Sequence, residues 1–168
     1  MTVNETMPKG DRRTATKARA QAEQLSPAEE SAPADATGAA QPLTPEVITA
    51  LHAASDKKAL APVLLDLRTI AGFTDFFLIT SGTNQRQVQA IADEVAERLK
   101  KAGTRAARIE GYKTAEWVLL DYGDFIVHVF DDKARRFYDL ERLWRDAARV
   151  ELPLELRGET DSSLNREA

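Results

Sequence analysis

Trp117-Val118-Leu119-Leu120-Asp121-Tyr122-Gly123-Asp124-Phe125-Ile126-Val127-His128-Val129-Phe130 holds two apolar runs around a break centred on glycine. Both runs are too short for stable helices and rich in β-branched and aromatic residues, so they read as strands. The Tyr122-Gly123-Asp124 connection is tight enough to make them an antiparallel hairpin. Within the second run only His128 breaks the apolar character. Such a strand is expected to be central and covered on both faces.

Upstream of the hairpin, Val63–Leu67 and Phe76–Thr80 are two more apolar runs of strand length, separated by Gly72. Ser81-Gly82-Thr83-Asn84 ends the second of them and opens a helix. Asn84 and Gln87 have capping-box spacing, Val88, Ile91, Val95 and Leu99 make one apolar stripe, and Gly103 closes it. A weaker strand, Arg105–Ile109, leads into the hairpin. Earlier still, Thr44 is placed as an N-cap with Pro45 at the first helical position and Leu43 set to staple onto Ile48. Downstream, Phe137, Leu140, Trp144 and Ala147–Ala148 recur on one helical face. The order is α-β-β-α-β-β-β-α. A strand–helix–strand unit joined to a hairpin predicts an α/β domain whose mixed five-stranded sheet has flanking helices.

The chain has 168 residues, and all eleven aromatics lie between Phe73 and Trp144. Residues 1–42 contain only Val3 and Leu25 as branched aliphatics, with five basic and six acidic residues. That composition buries too little apolar surface to offset about 1–2 kcal/mol of ordering entropy per residue, so residues 1–42 read as a disordered tail. A basic patch between Lys9 and Arg19 fits a mitochondrial presequence less well than a plain tail, because Glu5 and Asp11 interrupt it. Residues 43–153 form the folded domain, and residues 154–168 turn polar again and read as a flexible tail.

Composition also removes classes of chemistry. The chain contains no cysteine and two histidines, which excludes a disulfide framework, a thiolate nucleophile and a cysteine-ligated metal, and disfavours a His-rich site. No apolar run approaches the roughly 20 residues a membrane span needs. Absence of cysteine fits a cytoplasmic protein, and a net charge of −4 does not favour broad phosphate-backbone binding.

Ser81-Gly82 sits where α/β proteins hold phosphate, after a strand and before a helix. Neither a G-x-G-x-x-G nor a Walker pattern accompanies it, and turn and capping chemistry explain it without a ligand. A metal-dependent transferase needs clustered carboxylates. Asp66 is followed by Arg68, so no D-x-D or D-x-E pair exists there, and Asp131-Asp132 reads as a solvated turn. Asp121 and Asp124 flank the hairpin turn as capping carboxylates. His128, between apolar neighbours, reads as a buried, hydrogen-bonded histidine more readily than as a base. No catalytic, cofactor-binding or metal-ligating residue emerges.

A docking surface emerges more clearly. Segment 110–132 holds six acidic residues (Glu110, Glu116, Asp121, Asp124, Asp131, Asp132) against one basic, Lys113. The same segment holds Tyr112, Trp117, Tyr122, Phe125 and Phe130. Aromatic anchors beside steering carboxylates suit a basic protein partner. A solvated rim around ordinary core aromatics is the alternative.

These residues also resemble the ribosomal silencing factor family, called Iojap-like. The match runs through Arg86-Gln87, Ala90-Ile91-Ala92-Asp93, Glu110-Gly111, Trp117 to Asp124, Val127-His128-Val129-Phe130, Arg136 to Glu141 and Leu143-Trp144. It covers nearly all of residues 44–149 and none of the N-terminal tail. The resemblance implies a nucleotidyltransferase-like α/β fold without the transferase's catalytic carboxylates. It implies a translational repressor, not an enzyme, that binds the large ribosomal subunit through ribosomal protein L-fourteen. Bound there, the protein would block joining of the small subunit when nutrients are scarce. Large-subunit assembly through the same contact is the alternative the family offers, and a nucleotidyl transferase is a more distant one. The resemblance further implies a capacity to form a homodimer, with no cofactor and little direct nucleic-acid contact. Read with the patch, it places the interface on Trp117, Asp121, Tyr122, Asp124 and Tyr138.

Overall fold

A computed structural model of the chain describes residues 42–158. The expectations for residues 1–41 and 159–168 lie outside them. The first helix, α1 (Pro45–Asp56), starts as its sequence demands: the Thr44 side chain accepts from the Val47 N–H and proline occupies the first turn. Leu43 packs against the core, but Ile48 is 39 % exposed.

Six strands follow, one more than expected: β1 (Leu60–Asp66), β2 (Phe76–Gly82), β3 (Arg108–Glu110), β4 (Trp117–Asp121), β5 (Phe125–Asp131) and β6 (Ala148–Val150). They form one mixed sheet in the order β3-β4-β5-β2-β1-β6. The hairpin is antiparallel, with Trp117 opposite Phe130 and Asp121 opposite Ile126. At the centre β2 and β5 run parallel from Phe76↔Phe125 to Gly82↔Asp131. The expectation that Phe125–Phe130 is central and buried on both sides holds.

The sixth strand corrects the reading of the C-terminal region as one helix. α3 (Asp132–Tyr138) stops at Asp139, whose φ of 47° is left-handed, and a single-turn α4 (Leu140–Leu143) follows in a new direction. Asp and Asn tolerate that conformation better than other residues with a Cβ. The change of axis leaves Phe137 77 % exposed while Leu140, Trp144 and Ala147 stay buried. Ala148, expected on the same apolar face, is exposed and begins the edge strand.

The sheet has two unequally covered faces. α1 and the long α2 (Gln85–Lys101) press Val47, Leu51, Val88, Ile91, Val95 and Leu99 onto Leu64, Leu78, Val118, Leu120, Val127 and Val129. Among the described residues the other face is covered by the short α3–α4 pair and by the β1–β2 connection, with Leu65, Phe77, Ile79, Trp117, Leu119 and Phe130 meeting Ala134, Leu140 and Trp144, and with Ile70 and Ala71 beside them. The structured region also extends past the expected boundary at residue 154. A 3-10 turn at Leu154–Leu156 returns the chain to α1, Leu156 is 5 % exposed in the first core, and Ser55 donates to the Glu155 carbonyl at 3.3 Å. Leu156→Ala should therefore cost about 2–4 kcal/mol, as cavity-forming core truncations do. Urea unfolding would measure it, and a change below about 0.5 kcal/mol, typical of an exposed tail, would contradict that packing.

Candidate functional site

β4 and β5 place Trp117, Leu119 and Asp121 on the thinly covered face, as strand alternation requires. Trp117 is 7 % exposed. Its indole stacks on Phe130 at 4.9 Å and meets Tyr138 at 4.8 Å, and its Nε1–H donates to His128 Nδ1 at 3.1 Å. Because Nδ1 accepts, the neutral imidazole carries its proton on Nε2. His128 is the buried, hydrogen-bonded histidine expected, and burial pushes its pKa down to about 3. Its Nε2 and the Trp144 Nε1 find no conventional partner among the described residues, and both rings stand edge-to-face with Phe77, at 4.6 and 5.6 Å.

The other end of the hairpin is polar. One Asp121 oxygen accepts from the Gly123 N–H at 2.9 Å and the other from Arg108 Nη2 at 3.2 Å, so this carboxylate closes the turn and is ion-paired across β3. Asp124 is exposed and has no ion-pair partner among the described residues. Its backbone carbonyl accepts from the Asp75 N–H at 2.8 Å, bringing a second exposed acidic residue to the same end of the sheet. Tyr122 turns toward the helix side and stacks on Phe125 at 4.9 Å and 14°. Its hydroxyl is buried without a partner among the described residues, and desolvation raises its pKa to about 12.

The five residues predicted for an interface do not form one patch. Trp117 and Tyr138 touch each other at one end of β4, and Asp121, Tyr122 and Asp124 lie at the other, roughly 13 Å away at about 3.4 Å per residue. Of these, Asp124 is exposed, Asp121, Tyr122 and Tyr138 are half-buried, and Trp117 belongs to the core. Trp117 can support a surface through Tyr138 but offers little area itself.

Sequence reading missed three contributors. Phe137 was assigned to a buried helical face and is instead the most exposed aromatic. Asp75 reaches the hairpin tip only through tertiary pairing. Arg135, mostly buried, donates to the carbonyls of Leu60 and Ala61 and to Ser81 Oγ while pairing with Glu141 at 2.8 Å. It thereby clamps α3 to the sheet, and no local signal distinguishes it from the neighbouring Arg136.

At the start of α2, Asn84 Oδ1 accepts from the Gln87 N–H as expected, while Gln87 Oε1 accepts from the Thr83 N–H, one residue before the cap and not from Asn84 itself, both at 2.8 Å. A Cβ on Gly82 would come within 3.1 Å of the Val88 nitrogen, so this glycine answers to strand–helix packing. Among the described residues no group of three or more His, Cys, Asp or Glu could hold a metal, and no helix is long and apolar enough to cross a membrane. What the hairpin end presents to solvent is the carboxylates of Asp124 and Asp75.

The family model described as ribosomal silencing factor during starvation matches residues 40–168, and the chain belongs to that family of ribosome-acting translation regulators. A ribosomal silencing factor of Halalkalibacterium halodurans is 48 % identical over 61 % of this chain and 88 % of its own length. That of Bacillus subtilis is 42 % identical over 61 % and 87 %. The chloroplastic Iojap protein of Zea mays is 32 % identical over 64 % of this chain and 47 % of its own. Among solved structures, a crystal structure from Bacillus halodurans is 44 % identical with a TM-score of 0.57, over 63 % of this chain and 96 % of that one. One from Chromobacterium violaceum is 33 % identical with a TM-score of 0.59, over 64 % and 87 %.

Proposed function

We propose that the protein represses translation by occupying the large ribosomal subunit, through the basic ribosomal protein L-fourteen, and sterically preventing the small subunit from joining. The family match over residues 40–168 supports this reading most directly. The exposed Asp124 and Asp75 at the hairpin end add electrostatic complementarity to a basic partner. Tyr138, half-buried and resting on Trp117, supplies a preorganised aromatic anchor. Asp121 orders the turn that presents Asp124, and Tyr122 supports it from the helix side. Inhibition by occupancy requires no chemistry, so the reading is non-enzymatic, needs no cofactor and treats the nucleotidyltransferase-like sheet as scaffold; it puts the protein in the cytoplasm, beside the ribosomes it would act on. Homodimerisation and a role in large-subunit assembly belong to the same reading as secondary uses of the surface.

Sedimentation of purified subunits with added protein tests it. The protein should travel with the large subunit and reduce the joined-ribosome peak in proportion to occupancy. Tyr138→Ala should weaken co-sedimentation about 30-fold, the effect of losing a central aromatic anchor of about 2 kcal/mol. Asp124→Lys should weaken it less, mainly at low salt. Joined ribosomes forming undiminished while the protein stays at the top of the gradient would refute the proposal.

A further inference from the structure

An open cleft of about 750 Å³ lies at the ends of β2 and β5, lined by Thr83, Asn84, Gln85 and Arg86 after one strand and by Asp131, Asp132, Lys133 and Arg136 after the other. These two strands are the adjacent parallel pair of the sheet, and the cleft lies outside their C-terminal ends, where open α/β sheets bind ligands. Three cationic side chains converge on it from two elements. Asp131 accepts from the Ala134 N–H at 2.6 Å and Asp132 pairs with Arg136 at 2.7 Å, so the unpaired positive charge of the cleft is that of Arg86 and Lys133. Arg86 and Lys133 are exposed and have no ion-pair partner among the described residues.

Phe137 stands four residues after Lys133 and directly after Arg136 on α3, so it shares a helix face with Lys133. At 77 % exposure it is a large apolar ring facing water, braced edge-on against Tyr138 at 5.1 Å. Cations beside a solvent-facing aromatic are the two components with which proteins hold single-stranded nucleic acid: phosphate by charge, base by stacking. The cleft is too open to bury most of a free small molecule, as ligand pockets do.

We propose that this cleft, with Phe137 one helical turn beyond Lys133, binds a single-stranded or loop segment of RNA, the phosphates lying against Arg86, Lys133 and Arg136 and a base stacking on Phe137. The proposal rests on the reading of the protein as a ribosome-docking factor and revises one expectation attached to it, that nucleic acid is scarcely touched. It gives the domain two contacts of opposite electrostatic sense, an acidic hairpin end for a basic protein and a cationic cleft for RNA.

The test uses the full chain and a fluorescein-labelled 12-nucleotide polyuridine RNA, followed by anisotropy. Two unpaired phosphate-neutralising cations predict that log K falls with log salt with a slope of about −1.4. Arg86→Glu combined with Lys133→Glu should weaken binding at least about 10-fold and flatten that slope. Phe137→Ala should weaken it about 5- to 30-fold without changing the slope. Lys100→Glu, on an exposed position near the far end of α2, should bind as the parent does. Absence of binding at 100-fold molar excess of protein over RNA would overturn the proposal. Equal affinity of the cleft variants would do the same, as would displacement by a nucleoside triphosphate at the oligonucleotide's own affinity. Large-subunit co-sedimentation of the parent and of Tyr138→Ala separates the two readings. If the parent co-sediments and Tyr138→Ala does not, while no RNA binding is seen, the cleft proposal fails and the docking reading stands.

Discussion

Gly111→Ala should be the most damaging single substitution in the domain. Gly111 has φ of +78°, and a Cβ built there would lie 2.0 Å from the Trp117 carbonyl oxygen, a backbone atom at the first residue of β4. The Gly111 carbonyl also accepts from the Ala115 N–H at 3.0 Å, closing the turn that delivers the chain to the hairpin. Relieving the clash means displacing the strand that pairs with both β3 and β5. Left-handed strain alone costs roughly 1–2 kcal/mol, and together with the displacement the loss should exceed about 3 kcal/mol. Thermal unfolding should then begin at least about 10 °C lower. Gly123→Ala is the control. It has the same sign of φ, +83°, but nothing within 4 Å of its Cβ, so it should show the conformational penalty alone. Equal melting temperatures for the two variants would show that the close approach at Gly111 does not limit stability.

Stability should also fall on mild acidification, through His128. Its pKa in the fold is held down to about 3 by burial, against 6.5 for an exposed imidazole. Below pH 6.5 the unfolded chain takes up a proton that the folded chain refuses. The imidazole's stabilising contribution is therefore intact above about pH 6.5 and lost progressively toward pH 3, at up to about 1.4 kcal/mol per pH unit. The groups around the ring are Trp117, Phe77 and Phe130, none of which titrates in this window. Asp66, whose pKa is lowered mainly by its hydrogen bonds from Arg68, acts at more acidic pH, because its contribution fades as pH falls below the usual carboxylate range. Urea unfolding at pH 7.5, 6.5, 5.5 and 4.5 reads the slope directly. His128→Asn retains an acceptor for the Trp117 indole and should be less stable at pH 7.5, yet lose less on acidification. Parallel slopes for parent and variant would remove His128 as the cause.

Local signals revealed the parts of this fold that depend on few neighbours. The Val88–Leu99 stripe, the Asn84–Gln87 cap and the glycine-centred hairpin each appear as the sequence predicts. β6 was hidden because Phe137, Leu140, Trp144 and Ala147–Ala148 recur at helical spacing, and a single aspartate at 139 inside that spacing reads as an ordinary solvent-facing helix residue although it takes the left-handed conformation that ends the helix. Its strand character comes from Leu64, Leu65 and Asp66, to which it pairs. The site divides in the same way. Alternation placed Trp117, Leu119 and Asp121 on one face, but only tertiary packing decides that α3 covers Trp117 and leaves Asp124 in water. Phe137 and the cationic cleft needed both the left-handed Asp139 and the parallel register of β2 with β5.

That parallel ladder also sets the order in which the chain can be made safe from aggregation. β2 is buried along its whole length, yet its inner neighbour β5 is synthesised after α2, β3 and β4. At about 5–20 residues per second, several seconds separate their emergence from the ribosome. Through that interval β1 can pair with one edge of β2, while the other edge, Phe76 to Gly82, presents unpaired backbone on an apolar strand. α2 protects one face once it forms, but the edge itself closes only when the hairpin docks. A high-contact-order centre of this kind makes refolding slow relative to a helical domain of equal size. A protein that acts on ribosomes is thus most vulnerable while it is still attached to the one making it.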